Sequence, residues 1–136
     1  MNTKIDSLRP FSALAARLVL GSIMLVHGGT KVLPHGALDR FSVYIAQLGF
    51  PSWMAYVSAF TEFLGGMALI LGVITSVATI AIGIDMAVAI AKVHITHGLT
   101  GNGGFEFPLS LLALALLLLA DGPGMFSLDS IAFRHK

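Results

Sequence analysis

The chain contains no cysteine. That absence excludes a disulfide framework, a thiolate metal site and any dithiol relay carried by the chain itself, so sulfur for thiol redox chemistry would have to come from another subunit. Charge is also scarce: Asp, Glu, Lys and Arg make up 11% of the residues and nearly cancel, leaving a formal net charge of +1. No basic patch large enough for nucleic acid can be assembled from this, and no run of like charge marks a disordered interaction tail. A nucleic-acid partner is therefore not expected. Haem-attachment motifs, iron–sulfur spacings and nucleotide-binding fingerprints are missing too.

What the sequence has is apolar length. Hydrophobic residues make up 56% of the 136 positions, and the mean hydropathy of +0.88 leaves too little polar surface for a water-soluble domain. Crossing about 30 Å of hydrocarbon takes roughly 20 helical residues. Segments 11–33, 52–73 and 77–96 meet that requirement. Segment 105–120 falls short by a few residues and would span either with local thinning of the bilayer or by using Gly103, Gly104 and Asp121 as interfacial positions. The first segment is too long for the apolar core of a secretory signal peptide and reads as a retained helix. The expectation is an all-α membrane protein, a four-transmembrane-helix bundle within a single domain spanning 1–136.

Turn signals separate the segments: Pro34-His35-Gly36, Gly49-Phe50-Pro51, Thr75-Ser76 and the glycine-rich run 97–104. Between the first two breaks, Phe41, Tyr44, Ile45 and Leu48 recur at spacings of three and four, the pattern of a short amphipathic helix lying in the interface. Lys4 and Arg9 precede the first segment, and Arg134 and Lys136 follow the last, which places both termini in the cytoplasm. Lys31 and Arg40 weigh against that orientation, and Asp39 offsets them in part. Asp121-Gly122-Pro123-Gly124 reads as a helix stop, with Ser127-Leu128-Asp129 opening a short interfacial turn.

Ionisable side chains cost at least about 2.5–3.5 kcal/mol at the centre of a spanning helix, so they face protein, water or a ligand. A step of about 100° per residue puts Arg17, Gly21, Met24, His27, Gly28 and Lys31 on one arc of the first helix. Glu62 lies near the middle of the second, with Ser58, Gly65, Gly66 and Leu69 on or near its side. In the third, Asp85 and Lys92 share a stripe with Ala89 and Thr96, whereas a regular helix turns His94 to the opposite side. With the termini inside, His27, Lys31, Lys92, His94 and Glu106 fall toward the outer half, and Glu62 and Asp85 nearer the middle. This predicts a polar pocket opening outward. The competing reading is structural: Glu62 and Asp85 simply neutralise Lys31 and Lys92 and fix helix register.

The runs Arg17-Leu18-Val19-Leu20-Gly21, His27-Gly28-Gly29-Thr30-Lys31 and Thr61-Glu62-Phe63-Leu64-Gly65-Gly66 carry a recognisable pattern. With Asp85-Met86-Ala87-Val88-Ala89, His94, Gly104-Phe105-Glu106-Phe107-Pro108, Asp121-Gly122-Pro123-Gly124 and Ser127-Leu128-Asp129, the chain from about Phe11 to Asp129 resembles the DoxX family. The resemblance implies a small multi-pass protein of the bacterial cytoplasmic (inner) membrane. Some members of that family are associated with membrane-linked sulfur or quinol oxidation and some with oxidative-stress complexes, while many have no assigned activity. By position, the matching polar residues are Arg17, Lys31, Glu62, His94 and Glu106.

Two functions compete. The first is a redox-associated inner-membrane subunit, not catalytic alone, whose pocket of His27, Lys31, Glu62, Asp85, Lys92, His94 and Glu106 binds a quinone-like or other small amphipathic molecule and handles its protons. The second is a non-catalytic accessory subunit of a larger membrane complex, presenting the Leu- and Ala-rich segment 109–119 to lipid or a partner. His94 and His97 stand three apart with Glu106 across the loop, but exposed polar caps account for them better than a metal site does, and no catalytic or metal ligand set is assigned. A transporter is disfavoured because the segments show no inverted repeat or glycine-broken span.

Overall fold

The computed structural model describes residues 7–133, and among them every regular element is helical. Helix α1 (Arg9–Val32) is followed by the short α2 (Ala37–Gln47), then α3 (Met54–Leu71), α4 (Thr75–Ala89), α5 (Glu106–Asp121) and the short α6 (Leu128–Phe133). Beyond Ala89, α4 widens into a π-helical turn, Ile90–His94, and tightens into a 3₁₀ turn, Ile95–His97. Through that extension α4 joins α1 and α3 as one of three helices long and apolar enough to cross a membrane. Helix α5, with 16 residues, is shorter. The residues of α2 carry the amphipathic spacing read from the sequence. Lys4, Arg134 and Lys136, three of the cations used to orient the termini, lie outside the described residues.

Local chemistry sets the boundaries. Pro10 sits in the first turn of α1, where its missing N–H costs no helical bond. Gly72 closes α3 at φ 70°, and Ile74, a β-branched residue at φ 45°, completes a tight turn into α4. That turn is held from outside: the Asp129 carboxylate accepts the backbone N–H groups of Ile74 and Thr75, each at 2.8 Å. Asp129 thereby caps α4 from α6, 54 residues away in sequence at Thr75.

The closest helix pair is α1 against α3, joined through glycine. A Cβ on Gly21 would stand 2.8 Å from the Gly66 carbonyl, and one on Gly28 or Gly66 would collide with the backbone of Phe63 or Leu25. In the absence of a strong hydrophobic drive between helices in lipid, such backbone proximity supplies the packing contacts. The core comprises Leu20 and Met24 of α1, Leu69 of α3, Ala78, Ile82 and Met86 of α4, and Leu111, Ala115 and Leu118 of α5. Large apolar side chains such as Val19, Leu64, Ile80 and Leu117 point outward, as in a protein solvated by lipid.

Candidate functional site

A cavity of about 520 Å³ lies at the end of the bundle that bears α2. Its walls are the α2-facing halves of α3 and α4, with Met24, His27 and Lys31 of α1 and Phe107, Pro108 and Leu111 of α5 closing the sides. Phe41, Tyr44 and Ile45 of α2 and Leu48 and Phe50 of the following loop cover it. The lining is mostly apolar with a few convergent polar groups, and the volume is that of a small-molecule site.

The polar groups come from several helices. Glu62 of α3, buried at 4% exposure, accepts a 2.6 Å ion-paired hydrogen bond from Lys31 Nζ of α1. It can reach Lys31 because Gly28, one turn earlier, lets α1 lie against the backbone of Phe63. Asp85 of α4 faces both Glu62 and the Ser58 hydroxyl across the cavity. The Lys31 ammonium also sits 4.6 Å from the centre of the Phe41 ring, tying α2 over the site.

The expected neutralising pairs are half realised. Lys31 meets Glu62, but Lys92 turns to the Phe50 ring, 5.7 Å from its centre, and no Lys92–Asp85 bridge forms among the described residues. One wall therefore holds two carboxyls against a single bonded ammonium. His27 lines the cavity beside Phe107, with ring centroids 5.6 Å apart. Among the described residues, that ion pair is the only salt bridge.

His94 departs from the regular-helix expectation. It lines the same cavity as Asp85 and Lys92 because the π turn Ile90–His94, closed by Ile95 N–H donating to the Ile90 carbonyl, takes up an extra residue and rotates the helix end. Its Nδ1–H donates to the Gly103 carbonyl at 2.7 Å, which commits one ring nitrogen to the 97–104 loop. Glu106, expected in the same pocket, is exposed at the start of α5 and does not line it; Phe107, Pro108 and Leu111 take the inward positions instead. His94, His97 and Glu106 do not converge, and no group of three metal-ligating side chains stands together among the described residues.

The sequence reading missed the part played by Phe41 and Phe50, which seat the two lysines. It placed Arg17 on the same arc of α1 as His27 and Lys31, though outside the pocket. Arg17 is 1% exposed, at the opposite end of the bundle, where its Nη2 donates to the Phe126 carbonyl at 2.5 Å. Nη1 packs against Gly72, where any Cβ would overlap it. This cluster joins α1, the α3–α4 turn and the segment leading into α6.

The chain is similar along most of its length to several other bacterial proteins. CatD of Bacillus subtilis, whose name carries a provisional oxidoreductase assignment, is 29% identical over 90% of this chain and 88% of its own. An uncharacterized membrane protein of Mycobacterium tuberculosis is 30% identical over 88% of this chain and 80% of its own. An uncharacterized protein of Haemophilus influenzae is 28% identical over 96% and 97% of the two chains. No solved structure matches. The sequence pattern of the DoxX family matches residues 12–95, the stretch from α1 through the π turn that supplies Lys31, Glu62, Asp85 and His94, and this membrane protein belongs to the DoxX family.

Proposed function

We propose that the protein is a redox-associated subunit of the bacterial inner membrane whose cavity binds a quinone-like or other small amphipathic molecule. In this reading α1, α3, α4 and α5 all cross the bilayer, α5 with local thinning. Both termini are cytoplasmic and the α2 end faces outward. The observation that carries the proposal is the Lys31–Glu62 pair with Asp85 beside it, set in an otherwise apolar cavity. Interconversion of a quinone and its quinol moves protons along with electrons, and a bound carbonyl or hydroxyl needs a partner that can give or take one.

Glu62, held by Lys31, fixes the polar wall. Asp85 and Ser58 meet the ligand's oxygen, and His94, with one ring nitrogen committed to Gly103, passes protons at the mouth. Electrons come from a partner, since the chain carries no haem, iron–sulfur or nucleotide motif of its own. The oxidoreductase name of the Bacillus relative supports this direction without supplying the donor.

The test is titration of the purified protein in nanodiscs with a short-tailed benzoquinone analogue. Saturable binding is expected, weakened about tenfold by Glu62→Gln, the order of one lost charge-assisted hydrogen bond, and left unchanged by Glu106→Gln. Absence of saturable binding removes the reading. The exposed Leu116 and Leu117 of α5 favour the accessory-subunit alternative. A fixed set of larger proteins retained in mild detergent, with the cavity empty, would establish that alternative instead.

A further inference from the structure

We propose that the cavity is loaded sideways from the bilayer, through a window between α3 and α4, and that its ligand is a molecule with an uncharged polar ring as head and an apolar tail left lying in lipid. The proposal rests on the ligand-binding reading above and specifies the ligand class and its route.

Helices α3 and α4 form a hairpin pinched at the Ile74 turn. Near that turn they touch: a Cβ on Gly65 would stand 3.2 Å from Ile82 Cδ1, and Leu69 and Ala78 belong to one buried core. Toward the α2 end the pair opens, and the cavity fills the gap as deep as Thr61 and Ala81. The edges of that gap are Val57 on α3 and Ile84 and Val88 on α4. These three line the cavity while remaining 55%, 62% and 38% exposed. All are apolar and stand on helices long enough to cross a membrane, so the surface that continues outward from the cavity wall is lipid-facing. A pocket reached only from water would have buried side chains there.

The head is specified by charge. Beyond the window stand two carboxyls, Glu62 and Asp85, with one ammonium bonded between the helices and the Ser58 hydroxyl opposite. A phosphate head would bring a negative charge against them, whereas a neutral ring bearing carbonyl or hydroxyl oxygens can accept from Ser58 and exchange hydrogen bonds with Asp85. The tail passes between Val57 and Ile84, where it trades lipid contacts for equivalent side-chain contacts and so costs the complex little.

The experiment compares a tailless benzoquinone with its decyl-tailed homologue, in nanodiscs, with affinities referred to the membrane-phase concentration of each. In the parent protein the two should bind within about threefold of one another, less than a single added steric conflict produces. Val57→Trp and Ile84→Trp, made separately so that a folding defect in one leaves the other, should each weaken the tailed molecule about tenfold more than the tailless one. The proposal is overturned if the parent rejects the tailed molecule, if both window variants affect the two molecules equally, or if a stoichiometric phospholipid is recovered that the tailed quinone fails to displace. Binding of the tailless quinone that depends on Glu62, together with rejection of the tail, would sink this inference alone. Failure of both quinones to bind would remove the ligand reading and the window with it.

Discussion

Replacing Gly28 and Gly29 by alanine, one at a time, separates backbone packing from helix propensity at adjacent positions. At Gly28 a Cβ would meet the Phe63 backbone nitrogen and stand 2.6 Å from its Cα and 2.8 Å from its Cβ. Carbon pairs rest at about 3.5–4.0 Å, so α1 and α3 must part by about an ångström, and backbone cannot swing aside as a side chain can. Such overpacking costs about 1–3 kcal/mol, against about 1 kcal/mol gained from alanine in a helix. At Gly29 the nearest atoms are side-chain carbons of Leu33 and Phe63 at 3.7 and 3.8 Å, ordinary contacts, so the propensity gain stands alone. Gly28→Ala should therefore be less stable than Gly29→Ala by about 2 kcal/mol. Thermal unfolding in detergent, followed by helical circular dichroism, reads this as a midpoint several degrees lower for Gly28→Ala and one equal to or above the parent for Gly29→Ala. Equal midpoints, or the reverse order, would refute the argument that backbone contact sets the α1–α3 distance. Parting these helices also draws Lys31 from Glu62, so Gly28→Ala should lose ligand affinity where Gly29→Ala does not.

Lys31→Met strands the buried Glu62 charge and should cost about 3–5 kcal/mol, much of it recovered in the double variant Lys31→Met with Glu62→Leu; a double variant no more stable than the single one would contradict this in the same unfolding assay. Arg17→Ala removes the hydrogen bond to the Phe126 carbonyl, worth about 1.5–3 kcal/mol for a charged donor, and should raise hydrogen exchange in segment 124–133 while leaving α2 unchanged; uniform exchange along the chain would count against a local tether. Burial raises the Asp129 pKa, but the Thr75 and Ile74 N–H groups and the Arg17 charge outweigh it, so the group sits below the ordinary carboxylate value. Its contribution to stability is thus complete above the unfolded value of about 3.9 and is lost as pH falls through the folded value. Asp129→Asn should flatten that acid limb in a pH series of unfolding midpoints, and an unchanged limb would show that the carboxylate's charge is not what holds the turn.

Much of this was legible in the sequence, because lipid demands long apolar runs and punishes stray charge. Helices α1, α3 and α4 with its extension, the three long enough to span, follow the hydropathy segments, as does the shorter α5, and the polar arc of α1 was readable from a uniform angular step. Lys31–Glu62 could be anticipated as one of two pairings, yet nothing in the spacing said that Lys92 would choose the Phe50 ring over Asp85. That choice depends on where the loop after α2 lies, a tertiary fact. His94 was read into the pocket from its place near the outer end of the third segment, although a constant angular step turned it to the opposite side, and no residue type announces the π turn that reconciles the two. Glu106 was read as part of the pocket for its position near the α5 start, but the first residue of a helix can face outward while the next two face in. Arg17 looked like part of the same polar face, and only the depth of α1 separates it from Lys31 by most of the bundle.

The widened turn at Ile90–His94 has a consequence for chain length. It behaves as a single residue inserted into an otherwise regular helix, so removing one residue between Asp85 and His94 would restore ordinary winding and carry the imidazole roughly 100° around the axis, out of the cavity. A one-residue gap at this place in an alignment is therefore a change of chemistry, and a homologue that keeps the histidine but not the extra residue has the letter without the side chain's position.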